Sequence, residues 1–275
     1  MTTDPRAAIS VDLELFRHTP AFRSANGRLE EKTLGIESVD RLLKTFESAD
    51  ATATFFIVSE IADNHPEIVK RIAAAGHEIG SHTHTHRLLT AIDPDERREE
   101  LQHSRKLLES VSGQSVRGFR APAFALPDNY FTDLAAAGYD YDSSINPCRA
   151  IPGWYGGEYD TRRAVPATAI DPTAPAGLTE IPIAVSPFLR LPVGGAWTRL
   201  LGRRYTLWGT QAAADHGVPP VLYTHPWEFS DLPAVDGIPR RVTWRTGQWM
   251  LETLEALLSL PFNFVSLATL TDEVS

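Results

Sequence analysis

The chain has 275 residues, of which 43% are hydrophobic and 22% are charged, and its formal net charge at pH 7 is −9. This length and composition suit a globular protein with a sizeable core in one large domain or two smaller ones. The negative charge, with Lys and Arg scattered along the chain, argues against a nucleic-acid surface. A single cysteine, Cys148, excludes an internal disulfide and suits a reducing compartment.

The N-terminal residues lead directly into an apolar strand. They lack the basic start, apolar stretch and cleavage site of a secretory signal. No apolar run is long enough to cross a bilayer. The sequence therefore predicts a cytoplasmic protein with no membrane span.

Apolar, strand-like runs alternate along the chain with amphipathic helical runs, which predicts repeated βα units and a parallel sheet. The predicted strands are 8–13, 51–58, 77–81, 116–121, 139–143, 178–185, 221–224 and 262–267. The predicted helices are 36–48, 66–76, 93–113, one that ends at Gly138, 200–215 and 248–258. Residues 146–177 lack this periodicity and are interpreted as a functional insertion, because they carry Trp154, Tyr155 and Tyr159.

Polar residues with useful chemistry fall at or just past the C-terminal ends of the predicted strands. They are Asp12, Glu14, His82, His86, Arg120, Asp142 and His225. In a closed barrel these strand ends converge on one face, whereas in an open sheet the outer strands lie far apart. The sequence therefore favours an irregular α/β barrel.

Two histidines four residues apart form the clearest candidate ligand pair. His82 and His86 follow a short predicted strand that arrives at a polar turn. Asp12 and Glu14 alternate with apolar residues on the first strand, so both carboxylates point to the same side. Two such carboxylates are unfavourable without a cation, so one can bind a metal while the other moves protons. One carboxylate and two imidazoles leave coordination positions open, which is typical of a catalytic zinc-type site.

Three further polar residues complete the candidate site. Arg120, at the end of a buried strand, needs a carboxylate partner, and Asp12 is the natural candidate. His225 ends an apolar strand, and Asp142 could orient it and raise its pKa so that it donates a proton. The alternatives are a surface Arg120, a turn cap at Asp142 and a structural strand-end residue at His225.

The other histidines and the aromatic residues receive simpler predictions. His84, between the two candidate ligands, is expected to line the pocket or to support the ligands. The remaining histidines outside this segment are expected to be surface or capping residues: His18, His65, His103 and His216. Large aromatic side chains could either stack on sugar rings or pack in the core. These are Trp154, Tyr155, Tyr159 and Trp227.

The ordered motifs resemble those of the polysaccharide deacetylases of the NodB-homology type (carbohydrate esterase family four). The matching segments are Ser10-Val11-Asp12-Leu13-Glu14, residues 81–86, Arg120-Ala121-Pro122, Asp142-Ser143-Ser144 and Tyr223-Thr224-His225. The resemblance runs from Ser10 to the last predicted strand. It implies a distorted (β/α)7-type barrel formed as a single domain by residues 1–275.

The resemblance also implies which residues bind a metal and which one is the base. Glu14, His82 and His86 would hold Zn²⁺, or another divalent metal such as Co²⁺ or Ni²⁺. Asp12 would be the base and Arg120 would orient it. The implied reaction is hydrolysis of an amide, with removal of an N-acetyl group from an amino sugar or an N-acetylated polysaccharide.

The same resemblance implies the acid and the substrate contacts. His225, supported by Asp142, would protonate the departing amine. A backbone N–H at Ala123 would stabilise the oxyanion. Tyr223 and Trp227 would contact the substrate.

The sequence departs from the common family pattern in three places. The second acid of the first motif lies one residue further on and is Glu14, Tyr223 replaces the usual Leu, and the Trp usual in the fourth motif is absent. The Asp-x-Glu form resembles a branch that includes peptidoglycan deacetylase-like, exopolysaccharide-associated and allantoinase-like proteins. The alternatives are therefore a cyclic amide hydrolase and a non-catalytic carbohydrate-binding protein. A carbohydrate or small amide is the expected partner, and a homo-oligomer stays open.

Overall fold

The computed structural model describes residues 4–19, 22–23, 34–152, 156–232 and 237–272. Trp154 and Tyr155, which were expected either to stack on sugar rings or to pack in the core, lie outside the described residues. The described strands form one nine-stranded sheet. They are β1 Arg6–Leu13, β2 Thr54–Ile57, β3 Glu78–Ser81, β4 Gly118–Phe119, β5 Tyr141–Asp142, β6 Val165–Pro166, β7 Thr179–Glu180, β8 Val221–Thr224 and β9 Asn263–Phe264.

The described helices pack around this sheet. They are α1 Val39–Ser48, α2 Glu60–Asn64, α3 Pro66–Ala74, α4 Pro94–Ser112, α5 Tyr130–Ala137, α6 Gly195–Leu201, α7 Arg203–Asp215, α8 Arg240–Thr243, α9 Gln248–Leu258 and α10 Leu267–Thr271. Among them, none has the length and apolar character that a bilayer-spanning helix requires. The cytoplasmic location stays a prediction, and the oligomeric state stays open.

The sheet curls into the predicted distorted barrel. Its order is β6-β7-β5-β4-β3-β2-β1-β8, with β9 beside β1, and all pairs are parallel except β6 with β7. Beyond β7, the amide of Ala184 donates to the carbonyl of Val221 in β8 at 2.7 Å. This bond joins the two ends of the curled sheet, so β1 to β5, β7 and β8 are the seven strands of an irregular (β/α)7 barrel.

The alternation of side chains along β1 explains why its acidic residue faces the barrel interior. Ala7, Ile9, Val11 and Leu13 belong to the large core between the sheet and the helices. Ala8 belongs to a separate inner cluster with side chains such as Phe56, Tyr141 and Tyr223. Successive side chains on a strand point to opposite faces. Ser10 and Asp12 therefore share the inner face with Ala8.

The structure differs from the predicted elements in several places. The predicted strand 178–185 is reduced to β7, although residues beyond it still make single backbone bonds to Ile145 and Val221. The predicted helix 200–215 is two helices, α6 and α7, separated by Gly202 with φ +93°. The segment 146–177 is not wholly irregular, because it contains β6, which pairs with β7. Helices α2, α8 and α10 were not predicted.

Candidate active site

Three predicted ligands converge at the carboxyl end of the barrel. The ligand atoms of Glu14, His82 and His86 all lie within 4.8 Å of one another, and all three residues are buried. Glu14 Oε2 lies 2.6 Å from Nε2 of His86. Glu14 follows β1, and the histidines lie at the end of β3 and in the turn after it. His86 adopts φ +56° in this turn, which returns its imidazole to the same side as that of His82.

The tautomer of His82 suits a metal ligand. Its Nδ1 lies 2.7 Å from the backbone carbonyl of Arg120 and donates to it, which leaves the lone pair on Nε2. Burial lowers the pKa of His82 to about 4, so the ring is neutral at pH 7. Burial alone raises the pKa of Glu14, but His86, His225 and His82 outweigh it and lower the pKa below its usual range. Two imidazoles and one carboxylate form a donor set that fits Zn²⁺, Co²⁺ or Ni²⁺.

Asp12 and Arg120 form the buried ion pair that the sequence predicts. Arg120 Nη1 donates to Asp12 Oδ1 at 2.7 Å and to the Ser10 hydroxyl at 2.6 Å. Its Nε and Nη2 donate to the carbonyl and the hydroxyl of Ser143, both at 2.8 Å. The guanidinium also lies over the ring of Phe56, 4.4 Å from its centroid. Every side of Arg120 is therefore occupied, which fixes the carboxylate that it holds.

The predicted pairing of Asp142 with His225 is not present among the described residues. Asp142 Oδ1 accepts from the hydroxyls of Tyr130 and Ser144 at 2.8 and 2.6 Å. Burial raises the pKa of Asp142, and burial together with the charge of Asp142 raises the pKa of the neighbouring Glu180. Asp142 lies on β5, between β4 and β7, whereas His225 follows β8. The prediction that Asp142 and His225 lie at the same end of the barrel was correct, but the prediction that Asp142 pairs with His225 was wrong.

Glu228 is the acidic partner of His225. Its Oε2 accepts from the amide of His225 at 3.0 Å and lies 3.3 Å from the ring Nδ1. Its Oε1 accepts from Arg199 Nε at 2.7 Å. Burial by itself lowers the pKa of His225, but Glu228, then Glu14 and Asp12, raise it to about 9. The spacing of His225-Pro226-Trp227-Glu228, with proline opening a short helical turn, is the signal that could have revealed Glu228.

Trp227 supports a candidate ligand instead of lining an open pocket. It is 5% exposed and packs with Phe16 and Leu34. Its indole Nε1 donates to Glu14 Oε1 at 3.1 Å, and its ring stacks on His225 with centroids 5.1 Å apart. The indole N–H donates to Glu14, so it is not available for the substrate contact that was predicted for Trp227.

Tyr223 also lies inside the barrel. It is 5% exposed, and its ring meets the rings of Phe124 and His225 edge-on at 5.1 and 5.7 Å. Gly194 and Gly195 lie against it, and a Cβ on Gly195 would come within 2.6 Å of its ring. The aromatic residue at this position therefore packs beneath the site.

Ala123 lies in a strained turn next to a cavity. Ala123 and Phe124 both have positive φ angles, +54° and +56°, which is costly for residues other than glycine and is found at functional sites. The cavity has a volume of about 290 Å³, and Ser144, Asn146 and Tyr159 also line it. Asn146 is 6% exposed, and among the described residues neither atom of its side-chain amide has a hydrogen-bond partner.

His18, which was predicted to be a surface or capping residue, caps the short helix Phe16–His18 and also lies next to the site. It is buried, and its ring stacks on that of His86 with centroids 5.6 Å apart. Its Nδ1 accepts from the amide of Leu15 at 3.1 Å. Burial, followed by the charge of His86, lowers the pKa of His18 to about 3, so it is neutral at pH 7.

The sequence was compared with protein families. The polysaccharide deacetylase family model matches residues 34–141. This part of the chain is similar to the polysaccharide deacetylases. A second model, a domain of unknown function (DUF3473), matches residues 143–272 and includes the segment predicted to be an insertion. Strands from both stretches belong to the one described sheet, because β7 pairs with β5 and β8 with β1.

Curated relatives of the chain include proteins named as peptidoglycan and chitooligosaccharide deacetylases. A peptidoglycan-N-acetylglucosamine deacetylase of Bacillus cereus is 33% identical over 94 residues, which are 34% of this chain and 34% of the relative. A chitooligosaccharide deacetylase of Sinorhizobium fredii is 37% identical over 87 residues, 31% of this chain and 40% of the relative. The chain thus matches about a third to two-fifths of the length of these relatives.

Solved structures share the fold over nearly the whole chain. A Mycobacterium smegmatis protein assigned to the polysaccharide deacetylases has a TM-score of 0.65 at 21% identity, covering 99% of this chain and 95% of that one. An allantoinase has a TM-score of 0.61 at 18% identity, covering 97% and 89%. A family-four pseudoenzyme of Bacillus anthracis has a TM-score of 0.55 at 15% identity, covering 98% and 66%. These similarities establish the fold.

Proposed function

We propose that this protein is a metal-dependent hydrolase that removes N-acetyl groups from an amino sugar or an N-acetylated glycan. The observation that supports this most is the convergence of Glu14, His82 and His86 within 4.8 Å, at the barrel end that also holds Asp12 and His225. The names of the curated relatives, which include peptidoglycan, chitin and chitooligosaccharide deacetylases, support the class of substrate.

Glu14, His82 and His86 would hold Zn²⁺ or a similar divalent ion. When bound, such an ion supplies a Lewis acid for the amide carbonyl and lowers the pKa of water. Trp227 and the carbonyl of Arg120 fix the orientations of Glu14 and His82. Residues that orient ligands in this way contribute to metal affinity.

Asp12 is proposed as the base that accepts the proton of the attacking water. Its Oδ1 is held by the fully buried guanidinium of Arg120, so the carboxylate has one orientation. Arg120 is a positioning residue, because its four donor contacts are with protein atoms.

His225 is proposed as the acid that protonates the departing amine. Its raised pKa of about 9 keeps the imidazole protonated at neutral pH, and Glu228 orients the ring. Nε2 of His225 faces the site, 3.9 Å from Glu14 Oε1. An amine is a poor leaving group unless it is protonated, so this donor is needed for cleavage of the carbon–nitrogen bond.

Asp142 is proposed to act through Ser144 on the turn that contains Ala123. Ser144 donates to Asp142 and accepts from the amide of Ala121 at 2.8 Å. This contact anchors the start of the strained turn at Ala123 and Phe124. A fixed backbone N–H at Ala123 would stabilise the oxyanion without reorganisation during the reaction.

The test is a pair of variants. Asp12→Asn should abolish acetate release while the metal content stays near that of the wild type, and His82→Ala should lose the metal. Asp160→Asn, an exposed carboxylate, is the matched control and should keep both. Full activity in Asp12→Asn would remove Asp12 from the mechanism.

A substrate panel distinguishes the proposal from its rivals. Purified protein with added Zn²⁺ or Co²⁺ is assayed for acetate release from N-acetylglucosamine oligomers and peptidoglycan fragments, and for ring opening of allantoin and imides. Acetate release supports the deacetylase. Ring opening alone would identify a cyclic amide hydrolase, and glycan binding without either reaction would identify a carbohydrate-binding protein.

A further inference from the structure

We propose that Asp63, His84 and His103 form a second divalent-cation site on the surface of the protein. One carboxylate oxygen and one ring nitrogen of each histidine lie within 4.8 Å of one another. The two imidazoles meet edge to face, with centroids 4.4 Å apart. Asp63 lies on α2, His103 lies on α4, and His84 lies in the turn between the two buried histidine ligands.

Backbone contacts fix the three elements that carry these side chains. The amides of Ser59 and Glu60, at the start of α2, donate to the carbonyls of Thr83 and His84 at 2.9 and 3.0 Å. On the other side, Glu100 of α4 accepts from the amide of His84 at 2.8 Å. The His84 backbone is thus held between two helices, so little ordering is needed when a cation binds.

The hydrogen bonding of His84 leaves one ring nitrogen for a cation. Its Nδ1 lies 2.9 Å from the hydroxyl of Ser59. When Nδ1 donates to this hydroxyl, Nε2 carries the lone pair. An imidazole whose second nitrogen is fixed by a protein acceptor is the usual arrangement of a metal-bound histidine.

The donor set and its surroundings indicate the kind of cation. Two imidazoles and one carboxylate suit Zn²⁺ and similar ions, and they leave positions for water. His84 and His103 line an open groove of about 580 Å³ that also contains Glu96, Glu99 and Glu100. Arg87 and Lys106 line it too, so the carboxylates outnumber the cations by one. Because Asp63 and His103 are exposed, this site should bind more weakly than the buried one.

The experiment is equilibrium dialysis against Zn²⁺ with metal analysis of the wild type, His103→Ala, Asp63→Asn and the exposed control Gln102→Ala. We expect His103→Ala and Asp63→Asn to bind one ion fewer than the wild type, and Gln102→Ala to equal it. The difference in bound Zn²⁺ between the wild type and these variants shows whether the surface site exists, whatever the buried site binds. The outcome is therefore independent of the test of the proposed function.

A second readout excludes loss of folding as the cause. With Co²⁺ in place of Zn²⁺, visible absorption of the wild type should contain a component that His103→Ala removes, while circular dichroism of the two proteins stays the same. If the wild type and His103→Ala bind the same number of Zn²⁺ ions at saturating metal, the proposed surface site does not exist.

Discussion

Glu228 is a fully buried carboxylate shared by two cationic side chains. Its oxygens contact Arg199 at 2.7 Å and the His225 ring at 3.3 Å, and Thr224 adds a hydroxyl at 2.9 Å. Burial by itself raises the pKa of Glu228, but Arg199 and His225 lower it to about 2. Glu228 therefore stays ionised at any pH at which the protein would work, and it holds both partners in place.

Replacing Glu228 with Gln should destabilise the protein, because Arg199 would keep a buried charge without its carboxylate. Breaking a buried pair costs about 3–5 kcal/mol in free energy of unfolding. The three backbone carbonyls that also accept from Arg199 place the expected loss near the lower value. Urea unfolding measures this loss. The control is Glu252→Gln, because Glu252 pairs with Arg203 on the surface, and its free energy of unfolding should fall by less than about 1 kcal/mol. An equal loss of stability in Glu228→Gln and Glu252→Gln would contradict the role of Glu228 as the partner of buried Arg199.

Substitution of Asn146 should change the stability of the protein and its activity in opposite directions. An unpaired buried amide destabilises the folded protein, so Asn146→Leu should raise the free energy of unfolding by about 1 kcal/mol. If the cavity receives substrate, the same change should lower kcat/KM for acetate release by about tenfold, the equivalent of one lost hydrogen bond. Asn263→Leu, an exposed residue on β9, is the control. Higher stability with unchanged kcat/KM would exclude Asn146 from substrate recognition.

The elements themselves were largely predictable from local sequence signals. Asp93 caps α4 by accepting from the amides of Asp95 and Glu96, and Gly113 ends it with φ +71°. These are the signals on which the prediction of a helix over 93–113 was based. The contact between α4 and the histidine turn was not predictable, because Glu100 reaches residues 15 and 16 positions earlier in the chain. Such contacts depend on the packing of two elements.

Glu100 is expected to control the affinity of the buried metal site through this turn. It accepts from the amides of His84 and Thr85 and from the Thr85 hydroxyl. Glu100→Ala should lower Zn²⁺ affinity about 10- to 100-fold, as loss of a ligand-supporting residue usually does. The measurement is chelator competition in a His103→Ala background, so that the surface site does not contribute. Glu99→Ala is the control, and equal affinities in the two variants would show that the turn does not need Glu100.

At the scale of the whole molecule, the sequence predicted the barrel and the end of it where the ligands meet. That prediction held because parallel strands place their carboxyl ends together, whatever the details of each connection. The pairing of His225 could not be predicted in the same way. Asp142 and Glu228 are both acids near strand ends, and only the strand order shows that Asp142 lies near Glu180.

The two acids at the closure of the barrel should make stability depend on pH. Asp142 and Glu180 are both fully buried, and burial raises the pKa of each above its ordinary value. We expect the folded pair to retain a proton that the unfolded chain releases above about pH 4.5. The unfolded state then binds fewer protons, so stability falls as pH rises, by at most about 1.4 kcal/mol per pH unit for each proton.

Glu180→Gln tests this dependence, because Gln can still accept from the amide of Ile145 and can donate to Asp142 without titrating. The free energy of unfolding of the variant relative to the wild type should increase between pH 5.5 and pH 8. Urea unfolding of both proteins at each pH gives this difference, in which the contributions of other titrating groups cancel. A difference that does not change with pH would mean that the pair is ionised alike in the folded and unfolded chains. In that case Arg120, a buried cation that lowers the pKa of both acids, would have to balance their two charges in addition to that of Asp12.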